Sequence, residues 1–584
     1  MASPTQSPAT PLPTPPAGNA PPNLAGMGRC LFFWRTVAAV VSGLLLSAAF
    51  PPLRWDLLAW IAFLPFFVIP QPRLWRERLA VGYIFGYVHF ASSLLWLNEV
   101  GFGAGFLLAI WCALFPMAWY ALFSALVWRL RQDLARPFPG AGFLFIQRTG
   151  SLIIAAIFAA ALWTGLEWVR AWLLTGFPWN QLGISQYRRA GLIQCAAFTG
   201  VYGISFVIML VNAVLAIEAT RIIRFAITPG RRGFPWHFAL VTLVLIPVCW
   251  WGRYPESLPP ESAPNLTVLA VQGNLPQCRF WTEEQFQDAL TTYIGLTRTA
   301  FAELEESRKP DLVIWPECAV PADLNNHIYT VARNQLLREI DTPLLLGATQ
   351  FRPPHQGAAP QDALLFNCAF LLNPQGQTVE YYDKVHRVPF GEFTPFGDQL
   401  PWLRELIGMG RDLTPGRDLH LFNLPNGAYA GVNICFEDVF AELSRDFTRR
   451  GANLLMTITN DSWYNESSGA EQHLSHVVFR AIENRRPFFR SGNNSHTCLI
   501  TPNGRILGQL TDAKTGKVFA RASALYELPV FDDWGETFYT RHGDLFAHVC
   551  AAFSAIALAW LAADFINRKK SLLAIIRPKS KATS

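Results

Sequence analysis

Three residues with the chemistry for acyl transfer lie at what read as strand ends within one polar block, 253–542. Glu317 follows Val313-Ile314-Trp315-Pro316, Lys384 follows Tyr381-Tyr382-Asp383, and Cys435 follows Gly431-Val432-Asn433-Ile434. A thiol beside a carboxylate and an ammonium suits nucleophilic catalysis: the carboxylate takes the thiol proton, and the ammonium favours the thiolate and steadies an oxyanion. Pro316 stops strand pairing just before Glu317, and strand ends are where sites form in open α/β sheets. The passage from strand to helix through Phe436-Glu437-Asp438 suits an exposed nucleophile. There the Phe436 N–H is a second oxyanion donor, and losing one such donor costs about 2.7–4 kcal/mol of transition-state stabilisation. A lone cysteine is usually a buried structural residue; its place after a strand and beside Glu437 argues for chemistry.

The block reads as alternating strands and helices. Strand-length apolar runs fall at Leu266–Val271, Leu312–Trp315, Leu344–Gly347, Ala369–Leu372, Ala430–Ile434 and Leu454–Ile458. Helical spacing predicts helices over Thr282–Arg308 and near Asn325–Glu339, Phe440–Arg449 and Ala470–Asn484. This is the pattern of an α/β sheet domain.

What flanks the block is apolar. Of 584 residues, 51% are hydrophobic and 15% charged, against about 25% charged in a soluble domain. The 21 Trp and 44 Phe suit interfacial anchoring. Apolar runs at Leu31–Phe50, Leu57–Ile69, Leu79–Leu97, Ala104–Trp128, Ser151–Leu174, Leu192–Ala216, Phe238–Trp251 and Leu545–Ile566 predict about eight membrane spans. The second is short and carries Pro65, so a tilted, broken or re-entrant segment is expected there. Arg29 and Arg35 at the start of the first run resemble a signal peptide, but the spans that follow at once argue for an anchor.

Basic residues cluster in alternate loops, as in Arg73, Arg76 and Arg78, then Arg129, Arg131, Arg136 and Arg148, then Arg221, Arg224, Arg231 and Arg232. The positive-inside rule then puts both termini in the cytoplasm and the Cys435 block outside it, with Arg54, Arg188 and Arg189 as exceptions. The net charge of +6 belongs to this pattern and forms no nucleic-acid patch. The expected organisation is a disordered Pro-rich tail (1–28), a membrane domain of about seven spans (29–252), an extracytoplasmic catalytic domain (253–543), a last span (544–567) and a basic tail (568–584).

Four ordered motifs carry a resemblance: Trp315-Pro316-Glu317; Tyr382-Asp383-Lys384 with Pro389-Phe390-Gly391-Glu392; Cys435-Phe436-Glu437; and Asn460-Asp461-Ser462-Trp463. Together they resemble the carbon-nitrogen hydrolase (nitrilase) superfamily. The flanking spans, Gly176-Phe177-Pro178-Trp179, and Gln272-Gly273-Asn274 with Trp281 are similar to its membrane-embedded apolipoprotein N-acyltransferase branch. The resemblance implies an αββα sandwich and a Glu317-Lys384-Cys435 triad supported by Glu392, Glu437 and Phe436. It makes Trp281, Trp463, Asn460 and Trp179 candidates for substrate contact. It also implies a ping-pong reaction in the bacterial inner membrane with no cofactor or metal. The donor would be a phospholipid, phosphatidylethanolamine by family resemblance, and the acceptor the α-amino group of a diacylglyceryl-cysteine at a lipoprotein N-terminus. A monomer is expected. Phe436 stands where close relatives carry Tyr, and Cys318 adds a thiol beside the base.

Several residues admit plainer readings. Trp281 and Trp463 are core aromatics or acyl-chain walls. Glu167 and Arg170, one turn apart in an apolar run, bind a headgroup or compensate each other with Arg170 snorkelling. His473 and His476 read as surface or structural histidines rather than metal ligands. Of the thiols in the block, Cys278, Cys318, Cys368 and Cys498 could pair, though buried free thiols are expected. The alternatives for the whole chain are a membrane-tethered amidohydrolase using the same triad with water, and a non-catalytic scaffold or transporter.

Overall fold

The computed structural model describes residues 24–134, 141–227, scattered positions between 239 and 247, 265–276, 282–305, 308–356, 358–407, 410–532 and 534–576. Two six-stranded sheets form the polar block. The first runs β12-β1-β2-β3-β4-β5, with β1 at Asn265–Gln272, β2 at Leu312–Trp315, β3 at Leu344–Arg352, β4 at Leu364–Leu372, β5 at Thr378–Asp383 and β12 at Ala522–Pro529. The second runs β11-β10-β9-β8-β7-β6, with β6 at Leu421–Leu424, β7 at Ala428–Ile434, β8 at Leu454–Thr459, β9 at Phe488–Gly492, β10 at Cys498–Ile500 and β11 at Ile506–Leu507. Each sheet has a parallel centre, β1-β2-β3 and β7-β8-β9, with antiparallel strands outside it.

The unbroken apolar runs of the sequence are explained by burial on both faces. Along β1 and β2, Val268, Ala270, Leu312 and Ile314 join a core shared with Ala430, Val432 and Met456 of the other sheet. Their neighbours Leu269, Val271, Val313 and Trp315 face the helices Glu283–Glu303 and His327–Ile340. The first of these helices begins where Thr282 caps it, in a reciprocal box with Gln285. On the far side of the second sheet lie Ala441–Arg449 and Gly469–Asn484. The layers are therefore helix, sheet, sheet, helix.

Among the described residues, five helices are long and apolar enough to cross a membrane: Arg29–Ala48, Ala104–Leu130, Gly150–Thr175, Val201–Ile223 and Leu545–Arg568. Of the other predicted spans, Leu79–Leu97 overlaps the 19-residue helix Trp75–Ser93 and ends in the 3-10 turn Leu95–Asn98. The Pro65 segment is broken into Asp56–Trp60 and Leu64–Val68. The run from Leu192 is interrupted at Gly200, whose φ of +65° ends one short helix before the long one starts at Val201. Phe238–Trp251 lies largely outside the described residues, as do 1–23 of the expected tail. The first helix starts at Leu24, ahead of the expected boundary at 28, and the last runs to Ile576 through the start of the basic tail.

Two of the arginines that break the basic alternation are paired with acids, Arg54 with Glu471 at 2.5 Å and Arg189 with Asp56 at 2.7 Å. At the other end of the bundle Arg129 grips Asp564 of the last helix through two nitrogens, at 2.6 and 3.0 Å. Removing one partner leaves a charge in an apolar setting. Asp564→Ala is therefore expected to cost about 1–3 kcal/mol and to lower the thermal midpoint of the detergent-solubilised chain, read by tryptophan fluorescence. An unchanged midpoint would show that the clamp contributes nothing.

Candidate active site

Glu317, Lys384 and Cys435 each sit at the end of a strand, and the two sheets bring them together. β2 stops at Trp315, β5 at Asp383 and β7 at Ile434, so the three side chains arrive from both layers at one edge of the sandwich. Lys384, 2% exposed, places Nζ 2.8 Å from Glu392 Oε1 and 3.6 Å from Glu317 Oε1. Burial works against the Lys384 charge, but Glu392 and Glu317 reverse the balance and hold its pKa above the usual lysine range.

Glu317 is fixed through both oxygens. Oε1 accepts from Asn367 Nδ2 at 2.8 Å and Oε2 from the Asn460 N–H at 2.9 Å. Its pKa is pushed up by burial and restrained by Lys384. Gly347 of β3 lies directly behind it: a Cβ there would stand 2.4 Å from the Glu317 Cα, so no larger residue fits without moving Glu317. Glu392 accepts from Lys384, from Asn367 Nδ2 at 3.2 Å and from the Val388 N–H at 2.8 Å.

Cys435 opens a 3-10 turn, Cys435–Val439, that precedes the helix at Ala441. Its φ of +54° is a conformation that a side chain adopts at a cost and that recurs at functional turns. The expectation of an exposed nucleophile is corrected here: Cys435 is 8% exposed. Phe436 is also buried, its ring stacked 6.2 Å from Trp179. Burial, and then Glu317, raise the Cys435 pKa well above an ordinary thiol, with Lys384 pulling the other way. Glu437 turns back to clamp the turn. Oε2 accepts from the Ile434 N–H at 2.8 Å, and Oε1 from Tyr382 Oη and the N–H groups of Val385 and His386 at 2.7–3.0 Å. One carboxylate thus joins the Lys384 strand to the Cys435 strand.

The remaining candidates divide. Asn460 holds Glu317 and is itself held by Asn493 at 3.1 Å. Trp463 is 42% exposed beside the site, whereas Trp179 is fully buried behind Phe436. Trp281 lies outside the described residues. Glu167 and Arg170 make no direct ion pair, although the Arg170 charge still acts on the Glu167 carboxylate, and Arg170 is buried rather than snorkelling. Glu167 accepts from the Leu182 N–H at 2.7 Å, and Arg170 donates to the carbonyls of Phe177 and Trp179 at 2.6 and 2.7 Å, so both hold the loop that carries Trp179. His473 and His476 are fully buried, not at the surface. Cys318, Cys368, Cys435 and Cys498 are free thiols.

Sequence reasoning missed Asn367, which bridges the two carboxylates, and Arg490, which is buried with Asp438 and Asp461. Asn367 is a polar residue inside the apolar run Leu364–Leu372, and Arg490 follows Phe488 and Phe489 in the short, fully buried strand Phe488–Gly492. That is the one signal that would have revealed them.

Comparison with known proteins agrees with this geometry. Residues 42–214 match the family model for the apolipoprotein N-acyltransferase N-terminal domain, and 246–523 match that for carbon-nitrogen hydrolase. The chain is 34% identical to an apolipoprotein N-acyltransferase of Geobacter metallireducens, over 89% of this chain and 94% of that one. It is 28% identical to the protein of that name from Photobacterium profundum, over 82% and 87%. Among solved structures, an amidase from Nesterenkonia sp. aligns over 49% of this chain and 96% of its own, at 16% identity and a TM-score of 0.33. With its two halves matched in order and its membrane helices leading into a two-sheet domain with a buried thiol, the chain belongs to the apolipoprotein N-acyltransferase family, acyltransferases of the carbon-nitrogen hydrolase superfamily.

Proposed function

We propose that this chain moves an acyl chain from a phospholipid to the α-amino group of a lipoprotein's N-terminal diacylglyceryl-cysteine, through a thioester on Cys435. The observation that carries this reading is the buried Cys435 at a strained strand end, within electrostatic reach of Glu317 and Lys384. Its attachment to long apolar helices adds the lipid.

Glu317 accepts the thiol proton as sulfur attacks the ester carbonyl. The negative charge formed on the carbonyl oxygen is met by Lys384 and the Phe436 N–H. The tetrahedral adduct expels the lysophospholipid oxygen, which leaves with the proton held by Glu317, and the thioester remains. The acceptor amine then attacks the thioester, Glu317 takes a proton from it, and the amide leaves as Cys435 recovers its thiol. Glu392 and Glu437 act through Lys384 and the turn. Trp463, Asn460 and Trp179 belong to the walls or frame of the acyl site, and Trp281 is a further candidate for contact with the acyl chain. The site's burial disfavours water as a competing acceptor.

In this reading 29–252 and 544–567 are the membrane part and 253–543 the catalytic part, held outside the cytoplasm with both termini inside. Phosphatidylethanolamine is the donor and the chain acts as a monomer.

Intact-mass measurement after incubation with phospholipid vesicles and no acceptor is expected to show a gain of one acyl chain. Cys435→Ala should abolish it and a diacylglyceryl peptide should discharge it. Hydrolysis of small amides without any adduct would favour the amidohydrolase reading instead. Gly347→Ala, which drives a methyl group against Glu317, is expected to slow adduct formation about 100-fold, since misplacing a reacting group by about 1 Å costs that much. An unaltered single-turnover rate would mean that Glu317 tolerates the shift.

A further inference from the structure

Four ionic side chains with no exposure at all lie directly behind the nucleophile turn: Asp438, Asp461, His473 and Arg490. Arg490 Nη1 donates to Asp438 Oδ2 at 2.8 Å and Nη2 to Asp461 Oδ2 at 2.7 Å. The second oxygens face the imidazole of His473, Asp438 Oδ1 at 2.8 Å from Nε2 and Asp461 Oδ1 at 2.9 Å from Nδ1. Asp461 also accepts from the hydroxyls of Ser495 and Thr459. Two carboxylates against a guanidinium and one imidazolium make a neutral set; a neutral imidazole would leave one buried negative charge uncompensated.

The two aspartates occupy positions that matter to the site. Asp438 belongs to the turn that Cys435 opens, and Asp461 follows Asn460, whose N–H holds Glu317. The set thus ties the turn of the nucleophile to the turn that holds the proposed base.

The residue before His473 looks the other way. Gln472 Oε1 accepts from Trp96 Nε1 at 2.9 Å, Trp179 Nε1 at 2.8 Å and Asn180 Nδ2 at 3.3 Å. Its Nε2 donates to the carbonyls of Pro51 and Ser93, both at 2.9 Å. One buried amide therefore gathers three segments of the membrane half. The Trp179 ring it holds lies between His473, 5.5 Å away, and Phe436, 6.2 Å away.

We propose that Gln472 and His473 are positioning residues through which the membrane half sets the geometry of Cys435 and Glu317, with His473 held as an imidazolium between Asp438 and Asp461. This rests on the reading of Cys435 as the acyl-carrying nucleophile. The groups that face His473 are Asp438 from the nucleophile turn, Asp461 from the turn after β8, with Tyr464 packed nearby, Arg490 from β9 at 3.1 Å from Nδ1, and His476 from its own helix, on which Arg480 acts. Arg170 of the membrane half acts on the adjacent His476. Burial opposes the imidazolium, but the two carboxylates outweigh it and raise the His473 pKa to about 9. For a basic group with a raised folded pKa, this contribution is present in full below the ordinary imidazole pKa of about 6.5, declines above it, and is lost as pH rises through about 9.

The test compares wild type, His473→Gln, Asp438→Asn, the double variant and Gln472→Glu, all as full-length chain in lipid nanodiscs. Single-turnover acylation of Cys435 from phospholipid is followed by intact mass. Alkylation of Cys435 by a small thiol reagent is followed in parallel by peptide mass, and thermal midpoints are recorded. His473→Gln is expected to slow both reactions about 100-fold, the scale of a misplaced reacting group. The double variant, which restores neutrality, should regain about tenfold of that loss. Wild-type acylation should fall above about pH 9, a limb that His473→Gln lacks. Gln472→Glu leaves the four charges in place but sets an acceptor oxygen against the carbonyls of Pro51 and Ser93; it should lower the midpoint and, assayed well below that midpoint, slow acylation about tenfold.

Losses that multiply in the double variant, or wild-type rates in His473→Gln or Gln472→Glu, would overturn the proposal. Should wild type be alkylated in this order of rates yet never acylated, the positioning role stands and the acyltransfer reading falls.

Discussion

The ammonium of Lys384 is buried where water cannot solvate it, and the architecture around it supplies the compensation. Taking one cation out of water costs several kcal/mol even after relaxation, and two carboxylates, Glu317 and Glu392, meet it. Those carboxylates are themselves desolvated, so each needs further donors. Asn367 bridges both, and the N–H groups of Asn460 and Val388 complete them. These partners come from the end of β2, the middle of β4, the loop after β5 and the end of β8. The ion cluster is consistent only when both sheets are in register, and that couples the site to the fold as a whole.

The same logic recurs one layer deeper, with larger consequences for the two halves of the chain. Nearly every residue of the helix Gly469–Asn484 is buried, although it carries Gln472, His473, His476, Arg480 and Glu483. A helix so polar can be buried only if its neighbours satisfy it. The second sheet does so on one side, and the membrane half on the other. Besides Gln472, Glu483 accepts from the Val201 N–H at 3.0 Å, and Glu471 accepts from Arg54 and Tyr187. The apolar helices of the N-terminal half thus form one wall of the two-sheet domain's interior.

Much of this was legible in the sequence because burial on both faces writes continuous apolar runs. β1, β2 and β8 match their predicted limits to within two residues, and so do the helices that begin at His327 and Gly469. Glu317, Lys384 and Cys435 were read at strand ends, and each lies at one, although β5 itself was not among the predicted runs. What escaped were strands with mixed composition or few residues. β5, Thr378–Asp383, is an edge strand with exposed positions, and β10 is three residues long. Asn367 and Arg490 escaped for a different reason. A polar residue in an apolar strand announces that a partner exists, but the partner lies in another element, and periodicity carries no information about that pairing. Likewise the pairing of Glu167 and Arg170 with loop backbone, rather than with each other, depends on where the chain returns after Gly176.

The charge count of the site bears on how the proposed reaction begins. Glu317, Glu392 and Lys384 together carry one excess negative charge, and a preformed thiolate on Cys435 would add a second in a setting that hardly meets water. Burial and Glu317 accordingly hold Cys435 as a thiol, in contrast to cysteines activated beforehand by nearby cations. Such a site has no standing nucleophile to be acylated or oxidised at random. Proton transfer to Glu317 becomes favourable only as negative charge moves from sulfur onto a carbonyl oxygen beside Lys384, because the ammonium then neutralises charge on the substrate as well as on the carboxylates. On this argument the ester itself completes the electrostatics, and acyl transfer is fastest when a lipid carbonyl lies against the Cys435 turn, whereas a reagent without a carbonyl meets only the small thiolate fraction.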